Sequence, residues 1–365
     1  MRVLLCGGGT AGHVNPAIAI GEIIERNEPE SKIAYVVTRT GIENELVKYK
    51  KYQIDIRGIK KGKVFTNFKR LIQLSKSIKE CKNIINKFRP DIIIGTGGYA
   101  TFPVIYAGQK MGIKTVLHES NYYPGKAIKA LYKKTDLVLV NFEDTIKFLK
   151  KKKVICVGNP LRKEFQKYEK EIIKERLKIK EKHIILACGG SLGAERINDA
   201  IIDLIDNYIK YDTDLRLIWS TGKREYDLCK EKIKKKRLDR VENVDMYPYI
   251  YNMSEKMMCA DIVISRAGAT SISEIAACKK CSILIPSPNV ANNHQSKNAM
   301  LLESHGAAKL IKEDNIYLLI ETVKELIFNV NERMKIEKKV GDFYKENTNK
   351  RIYYEIKNLK NKFLD

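Results

Sequence analysis

The chain of 365 residues has no apolar run close to the roughly 20 residues that a membrane-spanning helix requires. It also has no charged and apolar leader, because its first residues already resemble a strand, and it contains no low-complexity linker or short-period repeat. These absences argue against membrane-spanning, secreted and fibrous proteins. We expect a globular protein that remains in the cytoplasm and at most lies on a membrane surface.

Acidic residues are too few to balance the basic ones. The chain has 44 Asp and Glu against 68 Lys and Arg, which gives a formal net charge of +24. Such an excess favours anionic partners, namely nucleic acid, an acidic membrane surface or a phosphorylated ligand. A well-solvated, lysine-rich surface without any such partner is the alternative.

The cysteines and acidic residues show no convincing metal-binding pattern. Most of the eight cysteines stand singly in apolar runs, as reduced core cysteines do. Cys278 and Cys281 form one close pair with His294 downstream, but His305 lies too far along for a zinc finger. Asp212-Thr213-Asp214 precedes a predicted strand and is expected to be a solvated turn. We therefore predict no bound metal.

Two strand–glycine–helix patterns divide the chain. The apolar run His183–Cys188 leads into Gly189–Arg196, and Arg2–Cys6 at the start leads into Gly7–His13. A glycine turn between a strand and a helix directs backbone N–H groups and the positive helix end towards a bound group, usually a phosphate. Two such patterns in a chain of this length predict two nucleotide-type domains.

The predicted strands follow one another as in a parallel sheet with helical crossovers. The boundary between the two halves is predicted at Gly158–Arg162, and one further helical segment is predicted from about Asn331 to Leu364. The predicted strands are Arg2–Cys6, Lys32–Val37, Pro90–Ile94, Lys114–His118, Asp136–Val140, Lys153–Val157, His183–Cys188, Leu215–Trp219, Val241–Met246, Asp261–Ser265 and Ser282–Pro286.

Other enzyme classes share parts of these patterns. Glycines 7, 9 and 12 match a dinucleotide fingerprint, but Thr38 and Arg39 stand where an NAD enzyme needs an acidic residue, which leaves only an NADP enzyme open. Gly189-x-Ser191-x-Gly193 matches the nucleophile elbow of hydrolases, with Asp261 and either His294 or His305 in the required order. Two nucleotide-type halves fit better with Ser191 as a hydroxyl donor to a phosphate.

The stretch Ser265–Glu274 is the most informative one after the glycine turns. Its small residues allow a loop to close on a ligand, and a helix N-terminus follows. Glu274 could accept both hydroxyls of a ribose, although an ordinary first-turn glutamate is the alternative. The polar loop Pro286–Gln295 follows a buried strand, where substrate hydroxyls could be recognised.

The chain resembles the members of glycosyltransferase family 28 along nearly its whole length. The matching stretches, in chain order, are GGGTAGHVNPAIAI, GTGGYATFP, HESN, VGNPLR, GGSLGAERIN, SRAGATSISEIAAC and HQSKNA. The resemblance implies a GT-B fold, in which two Rossmann-like α/β domains with doubly wound parallel sheets face each other across a cleft. The expected domains are 1–160 on the acceptor side, 161–340 on the donor side and a helix at 341–365 that packs back on the first domain.

The resemblance also implies the reaction and its partners. N-acetylglucosamine would pass with inversion from UDP-GlcNAc to the 4-hydroxyl of the muramyl sugar in a lipid-linked acceptor, lipid I, without a cofactor. A glycolipid synthase or a UDP-GlcNAc epimerase of the same fold is an alternative. Carried over by motif, the expected donor-binding residues are Thr10, Ala11, Gly12, Asn121, Arg162, Ser191, Ile250 (through its backbone), Ala269, Thr270, Ser271, Glu274 and Gln295. Those expected to bind the acceptor are Gly97, Gly98 and Tyr99.

Two residues are candidates for the base that takes the proton of the attacking hydroxyl. His13 and Glu119 both follow predicted strands of the first domain, and His13 is preferred for its near-neutral intrinsic pKa. A role for His13 in orienting acceptor phosphate is the alternative.

The basic stretch Arg57–Arg89, interleaved with apolar residues such as Phe65, Phe68 and Leu71, suits an anionic membrane surface. A solvated helix with a core-facing stripe is the alternative. Nucleic-acid binding is not expected, since no recognition helix, finger or stacking motif is present.

Overall fold

The computed structural model describes residues 1–56, 64–150, 153–161, 170–190, 193–290 and 293–361, with side chains from residue 72 onward in the helix that begins at residue 64. Arg162 and Ser191, both expected donor ligands, lie outside the described residues, as does the basic stretch 57–63. The chain divides into two compact units. Unit 1 comprises Met1–Leu161 and Lys345–Asp365, and unit 2 comprises Arg162–Tyr344.

Within the described residues, unit 1 is built on a seven-stranded parallel sheet of order β3-β2-β1-β4-β5-β6-β7. Its strands are β1 (Arg2–Cys6), β2 (Lys32–Thr38), β3 (Lys50–Ile54), β4 (Ile92–Gly95), β5 (Lys114–Glu119), β6 (Leu137–Val140) and β7 (Val154–Cys156). Its helices are α1 (Ala11–Asn27), α2 (Glu43–Leu46), α3 (Val64–Phe88), α4 (Thr101–Lys110), α5 (Lys126–Leu131) and, from the chain's end, α14 (Thr348–Asn361).

Both faces of this sheet are covered, as the strand sequences require. Side chains alternate across a strand, so Val3 and Leu5 of β1 join a core formed with α1 and α14, while Leu4 and Cys6 join the core on the opposite face. An all-apolar strand is therefore stable only between two layers of helices. The resulting doubly wound arrangement confirms the predicted fold class.

Unit 2 repeats this architecture, with a six-stranded parallel sheet of order β10-β9-β8-β11-β12-β13 in its described part. Its strands are β8 (His183–Cys188), β9 (Leu215–Ser220), β10 (Val244–Tyr247), β11 (Ile262–Ser265), β12 (Cys281–Leu284) and β13 (Lys309–Leu310). Its helices are α6 (Lys170–Arg176), α7 (Glu195–Asn207), α8 (Tyr226–Lys235), α9 (Met253–Cys259), α10 (Ala269–Cys278), α11 (His294–Ser304), α12 (Leu319–Phe328) and α13 (Val330–Gly341).

The helical segment predicted from Asn331 to Leu364 consists of two helices, α13 and α14. Helix α13 ends at Gly341, and Asn347 just before α14 has a positive φ of 58°. The chain leaves unit 2 and enters unit 1 between these two helices. A left-handed residue interrupts a helix, which allows two amphipathic helices to cover different cores.

Helix α3 carries part of the basic stretch. From residue 74 onward its apolar residues, including Cys81, Ile85 and Phe88, pack into the core of unit 1, while Ile72 is 61% exposed. The described part of the stretch thus favours the core-facing interpretation, and Phe65, Phe68 and Leu71 lie where side chains are not described. Within the described ranges, no helix is long and apolar enough to cross a membrane.

Candidate active site

Two glycine loops of unit 1 interlock at the carboxyl ends of β1 and β4. The Gly8 N–H donates to the Gly97 carbonyl at 3.3 Å, and a Cβ on Gly98 would lie only 1.9 Å from the Gly8 carbonyl oxygen. Gly9, with a φ of 90°, has no room for a Cβ because the Tyr99 ring would be 2.7 Å away. The structure therefore brings the expected acceptor residues Gly97, Gly98 and Tyr99 against the first glycine turn.

His13 lies at this junction, on the first turn of α1. Its Nδ1 is 3.1 Å from the Thr96 carbonyl oxygen, and a Cβ on Gly97 would lie 2.8 Å from the same nitrogen. A carbonyl only accepts, so Nδ1 carries the proton and Nε2 has the free lone pair. Burial lowers the pKa of His13, while the Thr96 hydrogen bond opposes that shift. The ring is neutral at pH 7, and its second nitrogen can act as a base.

Thr10, Ala11 and Gly12 form the exposed start of α1. Thr10 is the extended N-cap residue, and its carbonyl accepts from the N–H groups of His13 and Val14 at 3.0 and 3.2 Å. Its side chain makes no capping hydrogen bond within the helix. The helix therefore presents its positive end and a hydroxyl at the same loop as His13.

Glu119, the second candidate base, is tied into the turn that follows β5. Its Oε1 accepts from the Asn121 N–H and Asn121 Nδ2 at 2.9 and 3.1 Å, and its Oε2 accepts from the Gly125 N–H at 2.7 Å. Burial raises its pKa, and these hydrogen bonds oppose the rise. The carboxylate thus stabilises the turn Asn121–Gly125. Asn121, an expected donor ligand, is one of the residues hydrogen-bonded to it.

A buried polar cluster beside this turn joins two of the matching stretches, HESN and VGNPLR. His118 Nε2 lies 3.0 Å from the Gly158 carbonyl, and Ser120 Oγ donates to Asn159 Oδ1 at 2.9 Å. Burial lowers the pKa of His118 to about 4, so its ring stays neutral. The cluster joins the end of β5 to the residues that follow β7. Only the pairing of distant strands brings these residues together.

In unit 2, the remaining described candidates follow the carboxyl ends of parallel strands. After β8, Gly190 and Gly193 have φ values of 102° and 93°, and a Cβ on Gly193 would lie 2.4 Å from the Thr221 carbonyl. Helix α7 begins directly afterwards at Glu195. A tight glycine turn before a helix N-terminus fits the predicted phosphate turn.

The first two turns of α10 carry four expected donor residues. Ala269 is buried, while Thr270, Ser271 and Glu274 are half-buried and share one face of the helix through their i, i+3 and i, i+4 spacing. A buried hydrogen bond fixes the preceding loop, because Asn298 Nδ2 donates to the Ala267 carbonyl oxygen at 3.2 Å. Two hydroxyls and a carboxylate therefore line a fixed helix N-terminus.

Gln295 braces the loop after β12. Its Oε1 accepts the Ser287 N–H at 2.8 Å, which closes the polar loop onto the start of α11. This contact uses the side-chain carbonyl of an expected donor ligand. Gln295 therefore stabilises the conformation of the polar loop, in addition to being an expected donor ligand.

Ile250 follows β10 and is buried, with 4% of its surface exposed. The flanking rings of Tyr249 and Tyr251 pack edge to face at 4.9 Å, and Lys223 Nζ lies 5.4 Å from the Tyr249 centroid. Tyr251 is 80% exposed. These tyrosines were missed from the sequence, although three tyrosines within five residues after a strand were a usable signal.

The hydrolase alternative fails on topology. Asp261 lies at the amino end of β11, where it accepts the Ile184 N–H at 2.9 Å and pairs with Lys170 at 2.6 Å. That end of the sheet is opposite the glycine turn after β8, because all these strands are parallel. Asp261 therefore cannot serve a nucleophile in that turn.

No metal-ligand set is found in the described part of the chain, where no three or more His, Cys, Asp or Glu residues cluster suitably. Cys278 and Cys281 are not disulfide-bonded, and burial raises the pKa of each thiol to about 12.

Two Rossmann-like units with parallel sheets, each with glycine turns at the carboxyl ends of its strands, define the GT-B class of fold. The model of the glycosyltransferase family 28 N-terminal domain matches residues 3–140, and that of the family 28 C-terminal domain matches residues 184–352. The chain belongs to glycosyltransferase family 28.

Curated relatives align over the full length. UDP-N-acetylglucosamine–N-acetylmuramyl-(pentapeptide) pyrophosphoryl-undecaprenol N-acetylglucosamine transferase of Thermoanaerobacter sp. strain X514 is 38% identical, covering 98% of this chain and 100% of the relative. The protein of the same name from Acetivibrio thermocellus is 37% identical, covering 99% of each chain.

Solved structures share the fold. The crystal structure of Acinetobacter baumannii MurG superposes with a TM-score of 0.79 at 24% identity, covering 98% of this chain and 99% of that one. The UDP-GlcNAc 2-epimerase of Neisseria meningitidis bound to UDP-GlcNAc has a TM-score of 0.63 at 16% identity, covering 98% and 100%. At these identities the likeness establishes the fold alone.

Proposed function

We propose that this chain transfers N-acetylglucosamine from UDP-GlcNAc to lipid I, the undecaprenyl-pyrophosphoryl-linked muramyl pentapeptide, and so forms lipid II for peptidoglycan. Full-length relatives that carry the name of this reaction support the assignment. The structural observation that carries it is the position of His13 at the interlocked glycine loops of unit 1, with its Nδ1 3.1 Å from the Thr96 carbonyl oxygen. Neither an epimerase nor a DNA-binding protein needs such a loop pair for an acceptor.

The proposed chemistry is one in-line displacement with inversion at the anomeric carbon. The muramyl 4-hydroxyl attacks, His13 Nε2 takes its proton, and the bond from the sugar to UDP breaks. His13 is better suited than Glu119, because both Glu119 oxygens already accept N–H groups of their own turn. Glu119 is assigned the role of holding Asn121 and its turn in place.

The donor is assigned to the turns of unit 2. Thr270, Ser271 and Glu274 would contact the ribose and diphosphate, with Ser191 and Arg162 added by motif. The departing UDP gains negative charge, which the N–H groups at the start of α10 and at the Gly189–Gly193 turn stabilise. Donors already fixed by the fold need no rearrangement as the bond breaks. The Ile250 backbone and Gln295 complete the proposed donor set.

We divide the remaining unit 1 candidates between the two substrates, the donor and the acceptor. Thr10, Ala11 and Gly12 would meet the donor at the start of α1, while Gly97, Gly98 and Tyr99 would meet the acceptor. The exposed helix start and the Tyr99 ring above Gly9 support this division. The donor's diphosphate carries negative charge that the N-terminus of α1 attracts.

The enzyme is further proposed to act at the cytoplasmic face of the cell membrane as a peripheral protein. The net charge of +24 and exposed Ile72 at the described edge of the basic stretch support an anionic membrane surface as partner. Co-sedimentation with liposomes tests this. Binding should rise with the fraction of anionic lipid, and binding indifferent to that fraction contradicts the proposal.

A paired assay tests the function itself. The chain is incubated with UDP-GlcNAc and a soluble lipid I analogue, and in parallel with UDP-GlcNAc alone. Release of UDP and a disaccharide product only when the acceptor is present is expected. Epimerisation of UDP-GlcNAc without acceptor, or salt-sensitive DNA binding without UDP-GlcNAc affinity, would instead indicate the alternatives.

A further inference from the structure

Glu43 is a fully buried carboxylate beneath the first glycine loop. It begins the short helix α2, and its exposed fraction is 0%. The carboxylate touches the loop closely, since a Cβ built on Gly8 would lie 3.0 Å from its Oε1. It is closer still to its own turn, where a Cβ built on Gly41 would lie 2.1 Å from the same oxygen. Burying a carboxylate is costly unless it accepts hydrogen bonds.

Three donors converge on the two oxygens of Glu43. Its Oε1 accepts the Thr38 N–H at 3.0 Å and the Thr38 hydroxyl at 2.6 Å, and its Oε2 accepts the Gly9 N–H at 3.4 Å. A carboxylate can accept at both oxygens, which an amide cannot. The side chain therefore connects the end of β2 to the glycine loop that follows β1.

The contact determines how the Gly8–Gly9 peptide is turned. The N–H of this peptide points to Glu43, and its carbonyl oxygen at Gly8 lies against Gly98. The Gly8 N–H bonds the Gly97 carbonyl, and Gly97 in turn packs against the His13 ring. A contiguous series of contacts thus runs from Glu43 through the two glycine loops to the His13 ring.

We propose that Glu43 is a positioning residue for the acceptor reaction: it orients the Gly8–Gly9 peptide and, through Gly97, the His13 imidazole. This inference rests on the proposed function. Glu43 is fully buried, and its contacts run to Gly9 and, through the Gly8–Gly9 peptide, to Gly97. Its loss should therefore disturb acceptor use and the histidine more than donor binding, most of which is assigned to unit 2.

The test compares Glu43→Gln with Thr38→Val. Glutamine has nearly the same shape as glutamate. Its side-chain NH2 group, however, would face either the Gly9 N–H or the Thr38 N–H, so that two donors would oppose each other. Thr38→Val removes the hydroxyl hydrogen bond to Glu43 Oε1, whereas the glycine loop is bonded to Oε2. It is therefore the matched control for a loss of stability. Thermal unfolding of both variants gives the structural cost of each.

The expected kinetic result is selective. Glu43→Gln should lower kcat/KM for the lipid I analogue by at least about tenfold, because small misplacements of reacting groups are expensive. Its KM for UDP-GlcNAc should stay within about twofold of wild type, and Thr38→Val should stay within about twofold in both parameters. Equal kinetics for the two variants would overturn the positioning role.

A second readout does not depend on turnover. The chain has five histidines, so ¹⁵N-histidine spectra with His13→Gln as the assignment control can follow the His13 ring. Glu43→Gln should move the His13 signals and their titration, whereas Thr38→Val should not. Unmoved His13 signals in a folded Glu43→Gln protein overturn the proposal. If that variant does not fold, Glu43→Asp carries the same readouts, since the shorter side chain cannot reach both partners.

The two proposals fail in different ways. A wild-type enzyme that transfers nothing to the lipid I analogue contradicts the proposed function, and the role of Glu43 in that reaction falls with it. An active wild type with an equally active Glu43→Gln variant leaves the function standing and removes only the role of Glu43.

Discussion

His13 Nδ1 donates to the carbonyl oxygen of Thr96, 3.1 Å away, at the junction of the two glycine loops of unit 1. This single contact selects the tautomer of the ring and leaves Nε2 with its lone pair. It also joins the helix after β1 to the strand end of β4. The chemistry assigned to His13 therefore depends on a contact between residues 83 positions apart.

Replacing His13 by Gln is predicted to lower kcat by about 10² to 10⁴-fold, the usual contribution of a general base. Affinity for UDP-GlcNAc, measured by calorimetry, should be unchanged because His13 is assigned to the acceptor hydroxyl and not to the donor. Glu119→Gln is the comparison. It should lower stability, since an amide N–H would face the N–H donors of the turn, yet it should keep the acid limb of the pH profile. A His13 variant with near-native turnover contradicts the assignment.

The pH dependence of kcat follows from the direction of the His13 shift. The base works in its neutral form, and burial lowers its pKa below the ordinary value of about 6.5. Activity should therefore be retained through neutral pH and decline only as the pH falls through the lowered pKa. A rate profile across acidic pH measures this. An acid limb above the ordinary histidine value would indicate another group.

Gly98→Ala and Gly112→Ala separate steric overlap from backbone strain. Both glycines have positive φ, 80° and 72°, but a Cβ on Gly98 meets the Gly8 carbonyl at 1.9 Å while Gly112 has nothing within 4 Å. Gly112→Ala should cost only the left-handed backbone penalty of about 1 kcal/mol of unfolding free energy. Gly98→Ala should cost more and reduce kcat about 100-fold by separating the loops. Chemical unfolding and steady-state kinetics measure both, and equal effects would contradict the interlocked arrangement.

Glu274→Gln is predicted to raise the KM for UDP-GlcNAc about tenfold, the loss expected for charge-assisted hydrogen bonds to a ribose. The KM for the acceptor should not change. Glu231→Gln on the exposed face of α8 removes the same charge away from the site and serves as the control. Unchanged donor KM in Glu274→Gln would favour the alternative of an ordinary first-turn glutamate.

Asp136 gives a stability prediction that is independent of function. Burial opposes its ionisation, but the Thr115 N–H at 2.8 Å, the Thr115 hydroxyl and Lys114 at 3.1 Å together hold its pKa below the ordinary value. Its stabilisation is therefore fully present above the unfolded pKa of about 3.9 and is lost as the pH falls through the folded pKa. Asp136→Asn should lower the Tm at neutral pH, with the difference from wild type shrinking in acid. A difference that grows in acid would contradict the sign.

Much of the architecture was determined by the sequence alone. The strands β1, β2, β8 and β11 were predicted within a residue or two, because continuous apolar runs bounded by glycine or polar turns are typical of buried parallel strands. The short polar strand β3 and the two-residue β13 were missed, since their pairing depends on neighbours distant in the sequence. The motifs also indicated the family and the two glycine turns.

Only the tertiary structure decided what the individual side chains do. Glu119 and His13 were both candidates by sequence, with His13 preferred only for its intrinsic pKa. Folding places the Glu119 oxygens among N–H donors of its own turn, whereas His13 Nε2 has no hydrogen-bond partner among the described residues. Glu43 had no signal at all. Hydrogen bonds and steric overlaps between loops of separate strands are set by strand order, which local sequence patterns do not contain.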